Sequence, residues 1–253
     1  MRIEEMIGRV QNALIATIGL LLAVACAPLP AQQAEGTPAA LVARDSTGSI
    51  QASGVSVGAG IAVDHQYVIT NAHVVRQASG RLTMRRADGM GEADVQLVGT
   101  SPNMDLAVLR MPAGFLQPAA TAPELPQRGE PVWGVGPEGL GRSLAMGHVT
   151  QPAVQMAGFG PGFTAGMGAL MGFSGGPVVD RSGRVMGLTT ALPEPGSANV
   201  LAMLVGVDVA GFAHGNRRQV FILDIREALD EARRMGALPQ LRLAGVGQDV
   251  LVR

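Results

Sequence analysis

Three short segments carry side chains that could do chemistry together. Gly172-Phe173-Ser174-Gly175-Gly176-Pro177 sets a serine among glycines. A serine hydroxyl is a weak nucleophile until a base takes its proton. Its attack on a carbonyl also needs backbone N–H groups aimed at the developing oxyanion, and glycines around the serine allow the tight backbone path that presents them. Upstream, Val68-Ile69-Thr70-Asn71-Ala72-His73-Val74-Val75 places a histidine just past a β-branched run. Between the two, Asn103-Met104-Asp105-Leu106-Ala107-Val108-Leu109 puts an acid at the start of an apolar run. A buried carboxylate there is costly unless something donates to it, and an imidazole N–H is the natural partner. Taken singly, each has a plainer reading: a serine in a glycine turn, an Asp capping a turn after Asn, a histidine packed or solvated after a strand. Their joint occurrence in this order is the stronger signal. His65, His148 and His214 keep the plainer reading. No H-E-x-x-H or similar metal spacing occurs, so no metal and no cofactor is expected.

The elements that must position these residues read as short strands. Val55, Val57, Ala59 and Ile61 alternate with small residues, a period of two. Tyr67–Thr70, Leu82–Arg85, Asp94–Gly99 and Leu106–Arg110 are further strands, with Asp88-Gly89 a hairpin turn. Pro112, Pro118, Pro123, Pro126 and Pro131 then break any regular element, as a connector between two halves would. Strands resume at Val132–Val135, Leu144–Val149, Val178–Val179, Arg184–Thr190, Val200–Val209 and Val220–Ile222, with a hairpin turn at Arg181–Arg184. The uncharged, glycine-rich stretch Gly158–Gly172 reads as a loose surface loop or a backbone-lined site. Asp224–Met235 is the one convincing helix of the body: Asp224 and Glu227 form a capping-box variant, Gly236 ends it, and Pro239 follows.

Composition agrees with turns and strands over long solvated helices. Of 253 residues, 47% are hydrophobic and only 15% charged, with Gly 35 and Pro 16. Nineteen basic and 20 acidic side chains leave a net charge of −1, which excludes a general nucleic-acid binder driven by phosphate neutralisation. Aromatics at 3% are too few for a base-stacking platform. The sole cysteine, Cys26, excludes an intramolecular disulfide framework.

That cysteine lies in a distinctive N-terminus. Arg2 and Arg9 precede an uncharged run, Ala13 to Ala25, followed by small residues and by Pro28 and Pro30. This is the order of an export signal, and the run is short for a membrane span of about 20 residues. Ala23-Val24-Ala25-Cys26 resembles a bacterial lipobox, which makes Cys26 a candidate lipid-attachment site, and it equally fits an ordinary A-x-A cleavage site. Residues 31–49 are small and polar and read as a linker, with a helical turn at Ala39–Arg44.

In the order His73, Asp105, Ser174, the three segments resemble the catalytic triad of trypsin-like serine proteases. The closest resemblance is to the bacterial HtrA/Deg branch, with its T-N-x-H-V, D-L-A-V and G-x-S-G-G-P motifs. The likeness covers about residues 50–236. It implies an all-β fold of two six-stranded antiparallel β-barrels, chymotrypsin-like, with a C-terminal helix and the site in the cleft between barrels. It also implies His73 as general base, Asp105 as its orienter and Ser174 as nucleophile, with Gly172 and Ser174 supplying the oxyanion-hole N–H groups. Three features depart from that family. Phe173 stands where Asn or Asp is common, so a zymogen-type ion pair to a new N-terminal amine is excluded. Only 17 residues follow Gly236, so a protease domain without a PDZ domain is expected. The loop before Ser174 is unusually rich in Gly and Met.

The expected organisation is a signal or lipoprotein segment at 1–26, a linker at 27–49, an N-terminal barrel at 50–111, a connector at 112–131, a C-terminal barrel plus helix at 132–236 and a tail at 237–253. The expected function is an exported serine endopeptidase of the bacterial cell envelope, periplasmic or membrane-anchored through its N-terminus. Its partners would be protein or peptide substrates and not nucleic acid; the oligomeric state stays open. Two rivals remain. One is a catalytically silent binding or scaffold protein on the same fold. The other is an α/β-hydrolase esterase, with Gly172–Gly176 as G-x-S-x-G and Asp208 and His214 as partners; that fold requires the nucleophile to open a helix, whereas Val178 onward reads strand–turn–strand.

Overall fold

The computed structural model describes residues 37–76, 78–136, 144–168, 172–190 and 219–239. The export-type run, Cys26, the expected strand Val200–Val209, Asp208 and His214 lie outside them.

The first half builds one antiparallel sheet from β1 (Thr47–Ala52), β2 (Val55–Ala62), β3 (Tyr67–Thr70), β4 (Leu82–Arg86), β5 (Glu92–Asp94), β6 (Gln96–Thr100) and β7 (Ala107–Arg110). The order is β5-β4-β1-β2-β3-β7-β6. Val95 alone separates β5 from β6, so the two edges of the sheet are one bent strand and the sheet must curl. The expected strand Asp94–Gly99 is the part of this strand that straddles the bend. Ile50, Val68, Met84, Leu109 and Leu116 fill the inside of the curl. Each such side chain contributes roughly 1.5–3 kcal/mol on burial.

The second half is a closed barrel of β8 (Pro131–Val135), β9 (Leu144–Met156), β10 (Gly160–Met167), β11 (Pro177–Val179), β12 (Val185–Thr190) and β13 (Gln219–Asp224), ordered β10-β13-β12-β11-β8-β9. Val132, Phe163, Met167, Phe173, Val178 and Ile222 form its core. Two sequence expectations are corrected here. Within the glycine-rich stretch at 158–172, Gly160–Met167 is strand β10 and not a loose loop. A Cβ on Gly162 would stand 2.1 Å from the Ile222 carbonyl oxygen, so the glycine lets β10 lie close on β13. Strand β9 also runs well past Val149. Pro152 is accommodated because the β9–β10 register shifts between Gly162 and Thr164, and an irregular position tolerates a residue without an N–H.

The segment assigned to a linker also enters the fold. Helix α1 (Pro38–Ser46) starts with Thr37 accepting from the Ala40 N–H and Pro38 in its first turn. Its face of Ala39, Val42 and Ala43 packs with Ile61, Leu106, Val135, Val179 and Leu188. These residues come from both halves, so α1 helps join them. The proline-rich connector makes no regular strand. It is tied to β2 by the Ala119 N–H on Ala62 and to β12 by a two-way pairing of Ala120 and Ala122 with Val185. Helix α2 (Ala72–Arg76) follows β3 directly. Helix α3 (Ile225–Arg234) follows β13, with Asp224 accepting from the Arg226 and Glu227 N–H groups, as the capping pattern predicts. Ala228 and Ala232 pack beside Met104 and Leu106 of the first half.

Candidate active site

The site grows from the end of β3. That strand is buried between β2 and β7, and its last residue, Thr70, donates its hydroxyl to the Ala59 carbonyl at 2.7 Å. The chain then turns into α2, whose second residue is His73. Its side chain is 23% exposed, while that of Asp105 is 1% exposed. The His73 Nδ1 lies 2.6 Å from Asp105 Oδ2, and the His73 backbone N–H donates to Asp105 Oδ1 at 2.9 Å. A carboxylate only accepts, so Nδ1 carries a hydrogen, and in the neutral ring the lone pair is then on Nε2. Ring and backbone are thus held by the two oxygens of one side chain.

Asp105 is itself held from several sides. Its N–H donates to the Phe159 carbonyl at 3.2 Å, in the turn between β9 and β10. Its carbonyl accepts from Asn71 Nδ2 at 3.0 Å, and the same nitrogen reaches the Thr190 hydroxyl at 3.0 Å. The acid is therefore fixed between the two halves. Asn71 Oδ1 and the Thr189 hydroxyl are the buried side-chain atoms without a partner among the described residues.

Ser174 sits in a turn closed by the Gly176 N–H on the Phe173 carbonyl at 2.8 Å. Gly175, third in that turn, has φ +80°, a conformation that favours glycine in a type II turn. Close approach demands glycine as well: a Cβ on Gly175 would lie 2.1 Å from Thr70 Oγ1 and 2.2 Å from the Ala59 carbonyl oxygen. The turn is pinned to the first half by the Ala59 N–H on the Ser174 carbonyl at 2.8 Å. It is pinned to the second half by the Gly175 N–H on the Thr189 carbonyl at 2.9 Å and the Thr189 N–H on Gly176 at 2.8 Å. A Cβ on Gly58 would stand 2.8 Å from Val74 and 2.9 Å from the Ser174 carbonyl oxygen, so the serine's backbone and the residue after His73 both pack against Gly58.

The structure therefore joins His73 and Asp105 directly and sets the Ser174 turn against β2 and the end of β3, the strand that leads into His73. Among the described residues the Ser174 hydroxyl makes no hydrogen bond, to His73 or elsewhere, and the Gly172 and Ser174 N–H groups donate to nothing in the protein. Gly172 has φ +94°. Phe173 is buried in the second core beside Met167 and Val178, so an apolar anchor stands where the sequence lacks an acid. After Ser174 the chain forms the antiparallel pair β11 and β12, so no helix opens at the serine and the esterase alternative falls.

Sequence reasoning passed over three residues here. Arg76, on the exposed side of α2, reaches Asp105 Oδ1 at 3.4 Å; nothing in the sequence separates it from any solvated arginine, beyond its spacing three residues after His73. Thr190 is seen only once β12 is placed beside β3. Glu231 of α3 is buried, accepting from the Ser101 hydroxyl at 2.5 Å and Asn103 Nδ2 at 3.1 Å, with Arg234 at 2.6 Å on its other oxygen. The Ser101 hydrogen bond, more than the opposing effect of burial, holds its carboxyl below the usual glutamate range, with Asn103 and Arg234 assisting. Read as a helix, Glu231 lies off the apolar face Ile225, Ala228, Leu229, Ala232, so periodicity leaves it exposed.

Comparison with known proteins follows the same lines. The profile of the trypsin-like peptidase domain matches residues 52–188, more than half of the chain. A probable periplasmic serine endoprotease, DegP-like, of Brucella suis biovar 1 (strain 1330) is 36% identical over 154 residues, 58% of this chain and 29% of that protein. The periplasmic pH-dependent serine endoprotease DegQ of Escherichia coli (strain K12) is 29% identical over 152 residues, 57% of this chain and 33% of that protein. The chain thus matches about a third of the length of these relatives. Among solved structures, the HtrA-type protease AlgW with a decapeptide superposes with a TM-score of 0.62 at 20% identity, covering 79% of this chain and 67% of that one. The active form of the Rv3671c protease of M. tuberculosis superposes with a TM-score of 0.61 at 21% identity, covering 84% of this chain and 89% of that one. At such identities these two bear on the fold, which is chymotrypsin-like: a closed six-stranded barrel beside a curled seven-stranded sheet, where the motifs implied two six-stranded barrels. With the profile spanning most of both halves, the chain belongs to the family of trypsin-like peptidase domains.

Proposed function

We propose that this chain is a serine endopeptidase, working through Ser174, His73 and Asp105, and that it acts outside the cytoplasm in the bacterial cell envelope. The observation that carries the chemistry is the double hold of Asp105 on His73, at 2.6 Å on the ring and 2.9 Å on the backbone. It leaves Nε2 as a base with a fixed direction.

The steps follow from these groups. As Ser174 Oγ bonds to the scissile carbonyl carbon, His73 Nε2 takes its proton, and the carbonyl π pair moves onto oxygen. The N–H groups of Gly172 and Ser174, which no acceptor among the described residues uses, supply donors for that oxyanion. The tetrahedral species collapses, the C–N bond breaks, and the imidazolium returns its proton to the departing amine. Water then repeats the sequence on the acyl-enzyme, with His73 again as base. Asp105 stabilises the imidazolium and fixes its tautomer. The unbonded state of the Ser174 hydroxyl fits a site whose hydrogen bonds tighten when substrate fills it.

Protein or peptide substrates are the class this reading takes, with no cofactor. The envelope location rests on the Arg-flanked apolar run before Cys26 and on relatives named periplasmic. Proteolysis of an unfolded protein such as casein tests the reading. Wild type should cleave; Ser174→Ala should not; His73→Ala should lose several orders of magnitude in kcat, because such residues act as a unit. Equal inactivity of wild type and Ser174→Ala would favour a silent trypsin-fold scaffold instead.

A further inference from the structure

Four acidic side chains are buried among the described residues: Asp105, Asp180, Asp224 and Glu231. Asp180 and Asp224 satisfy groups within four positions of themselves, holding a hairpin turn and a helix start. Glu231 differs. Its bond to Ser101 spans 130 positions of sequence, from the C-terminal helix to the turn that ends in Asp105. A buried carboxylate is costly, and an apolar side chain of similar volume is often neutral or stabilising in its place. Glu231 therefore calls for a reason beyond stability.

The wiring of the turn supplies one. The Ser101 hydroxyl accepts from the Asn103 N–H at 3.0 Å and the Met104 N–H at 3.2 Å. Two backbone donors already point at its oxygen, so its single hydrogen must point away, and it points to Glu231. The Asn103 side chain donates to the same carboxylate oxygen. The Ser101 N–H meets the Leu106 carbonyl at 2.8 Å, closing the turn across Asp105. Every bond in this set has at least one end within four residues of the acid that holds His73.

We propose that Glu231 is a positioning residue for Asp105: through the Ser101 hydroxyl and the Asn103 amide, it holds the 101–105 turn in the conformation that keeps both carboxylate oxygens on His73. This rests on the endopeptidase reading above. Glu231 touches no substrate, and its effect should appear in turnover, since small misplacements of a positioned group are expensive in rate.

The test compares kcat, KM and amide hydrogen exchange in wild type, Glu231→Ala and Glu231→Gln, each alone and with Asp105→Asn. Glu231→Ala should lower kcat roughly tenfold with KM within about twofold. Glu231→Gln keeps an acceptor oxygen for Ser101 and should recover most of the loss. With Asp105→Asn already present, Glu231→Ala should cost little more, because the orientation it protects no longer counts. The amides of Asn103, Met104 and Asp105 should exchange faster in Glu231→Ala. A wild-type kcat in Glu231→Ala, an equal loss in both backgrounds, or unchanged exchange at 103–105 would overturn the proposal. Should Glu231→Ala fail to fold, Ser101→Ala carries the same comparison. A wild type without Ser174-dependent activity would sink the endopeptidase reading instead, while the exchange rates would still decide whether Glu231 holds the turn.

Discussion

At the residue scale, the pairing of His73 with Asp105 was legible because an acid heading an apolar run needs a donor, and His73 is a chemically apt one. The neighbours that finish the site were not legible, because Arg76, Thr190 and Glu231 matter only through strands and helices brought together by the fold. Specificity also belongs to this scale. In trypsin-like folds the primary pocket is walled by the stretch before the nucleophile and by a later strand. Carried over from that resemblance, the first wall would be the stretch Thr164 to Phe173, whose sequence holds no acid, and the second Leu188 to Ala191, also uncharged. An arginine or lysine side chain entering would be desolvated without a counter-charge, at a cost of several kcal/mol. An apolar side chain would gain roughly 1.5–3 kcal/mol from burial. A peptide-library profile should therefore show cleavage after Val, Ala or Leu. Dominant cleavage after Arg or Lys would place an acid such as Glu194 or Asp208 in the pocket.

At the element scale, the strands with strict alternation or β-branched runs were readable, as was the capped helix α3. Strands rich in glycine were not. Gly160–Met167 has the composition of a loop, and only the neighbouring strands reveal that its small residues serve close packing. β1 was missed for a related reason: Thr47 to Gln51 mixes small and polar residues that are nonetheless mostly buried between β2 and β4. The turn at Ser174 offers a sharp test of such packing. Gly175→Ala would force a Cβ to within 2.1 Å of Thr70 Oγ1 at a positive φ. The turn must then shift away from the first half. Proteolysis should fall by at least about a hundredfold, as a displacement near 1 Å at a reacting group can do, with a lowered melting temperature. Wild-type rates in Gly175→Ala would mean that the two halves need not meet at this turn for activity.

For the whole molecule, the two-half architecture and its proline-rich connection were legible from the spacing of breakers and strands. The early start of the fold was not, since α1 is a short, Ala-rich helix whose stability comes from packing between the halves. Acid stability is a property of this scale. Asp180 is buried, which by itself would raise its carboxyl. The Ser182 hydroxyl and N–H and the Arg184 N–H and guanidinium outweigh that and hold it below the usual aspartate range. Glu231 is lowered as well. Groups lowered in the folded state stabilise it above their unfolded pKa and lose that contribution as pH falls through the folded value. The melting temperature should thus be nearly flat from neutral pH to about 5 and decline below about 4. The gap between wild type and Asp180→Asn should narrow over the same acid range, and a gap independent of pH would contradict the assignment. Location is the second whole-molecule prediction. Fractionation should find the body outside the cytoplasm, and Cys26→Ser should release it from membranes if Cys26 carries lipid. Full-length, uncleaved protein in the cytoplasm would refute export, and a cleaved, soluble wild type would refute lipidation alone.

The central claim is that Ser174 is an activated nucleophile, and covalent labelling addresses it most directly. Purified wild type is treated with a serine-directed fluorophosphonate, and the adduct is located by mass spectrometry of peptides. One adduct, on Ser174 Oγ, is predicted, absent in Ser174→Ala and formed orders of magnitude more slowly in His73→Ala. A wild type that stays unlabelled, or that labels at the same rate once His73 is removed, would contradict it.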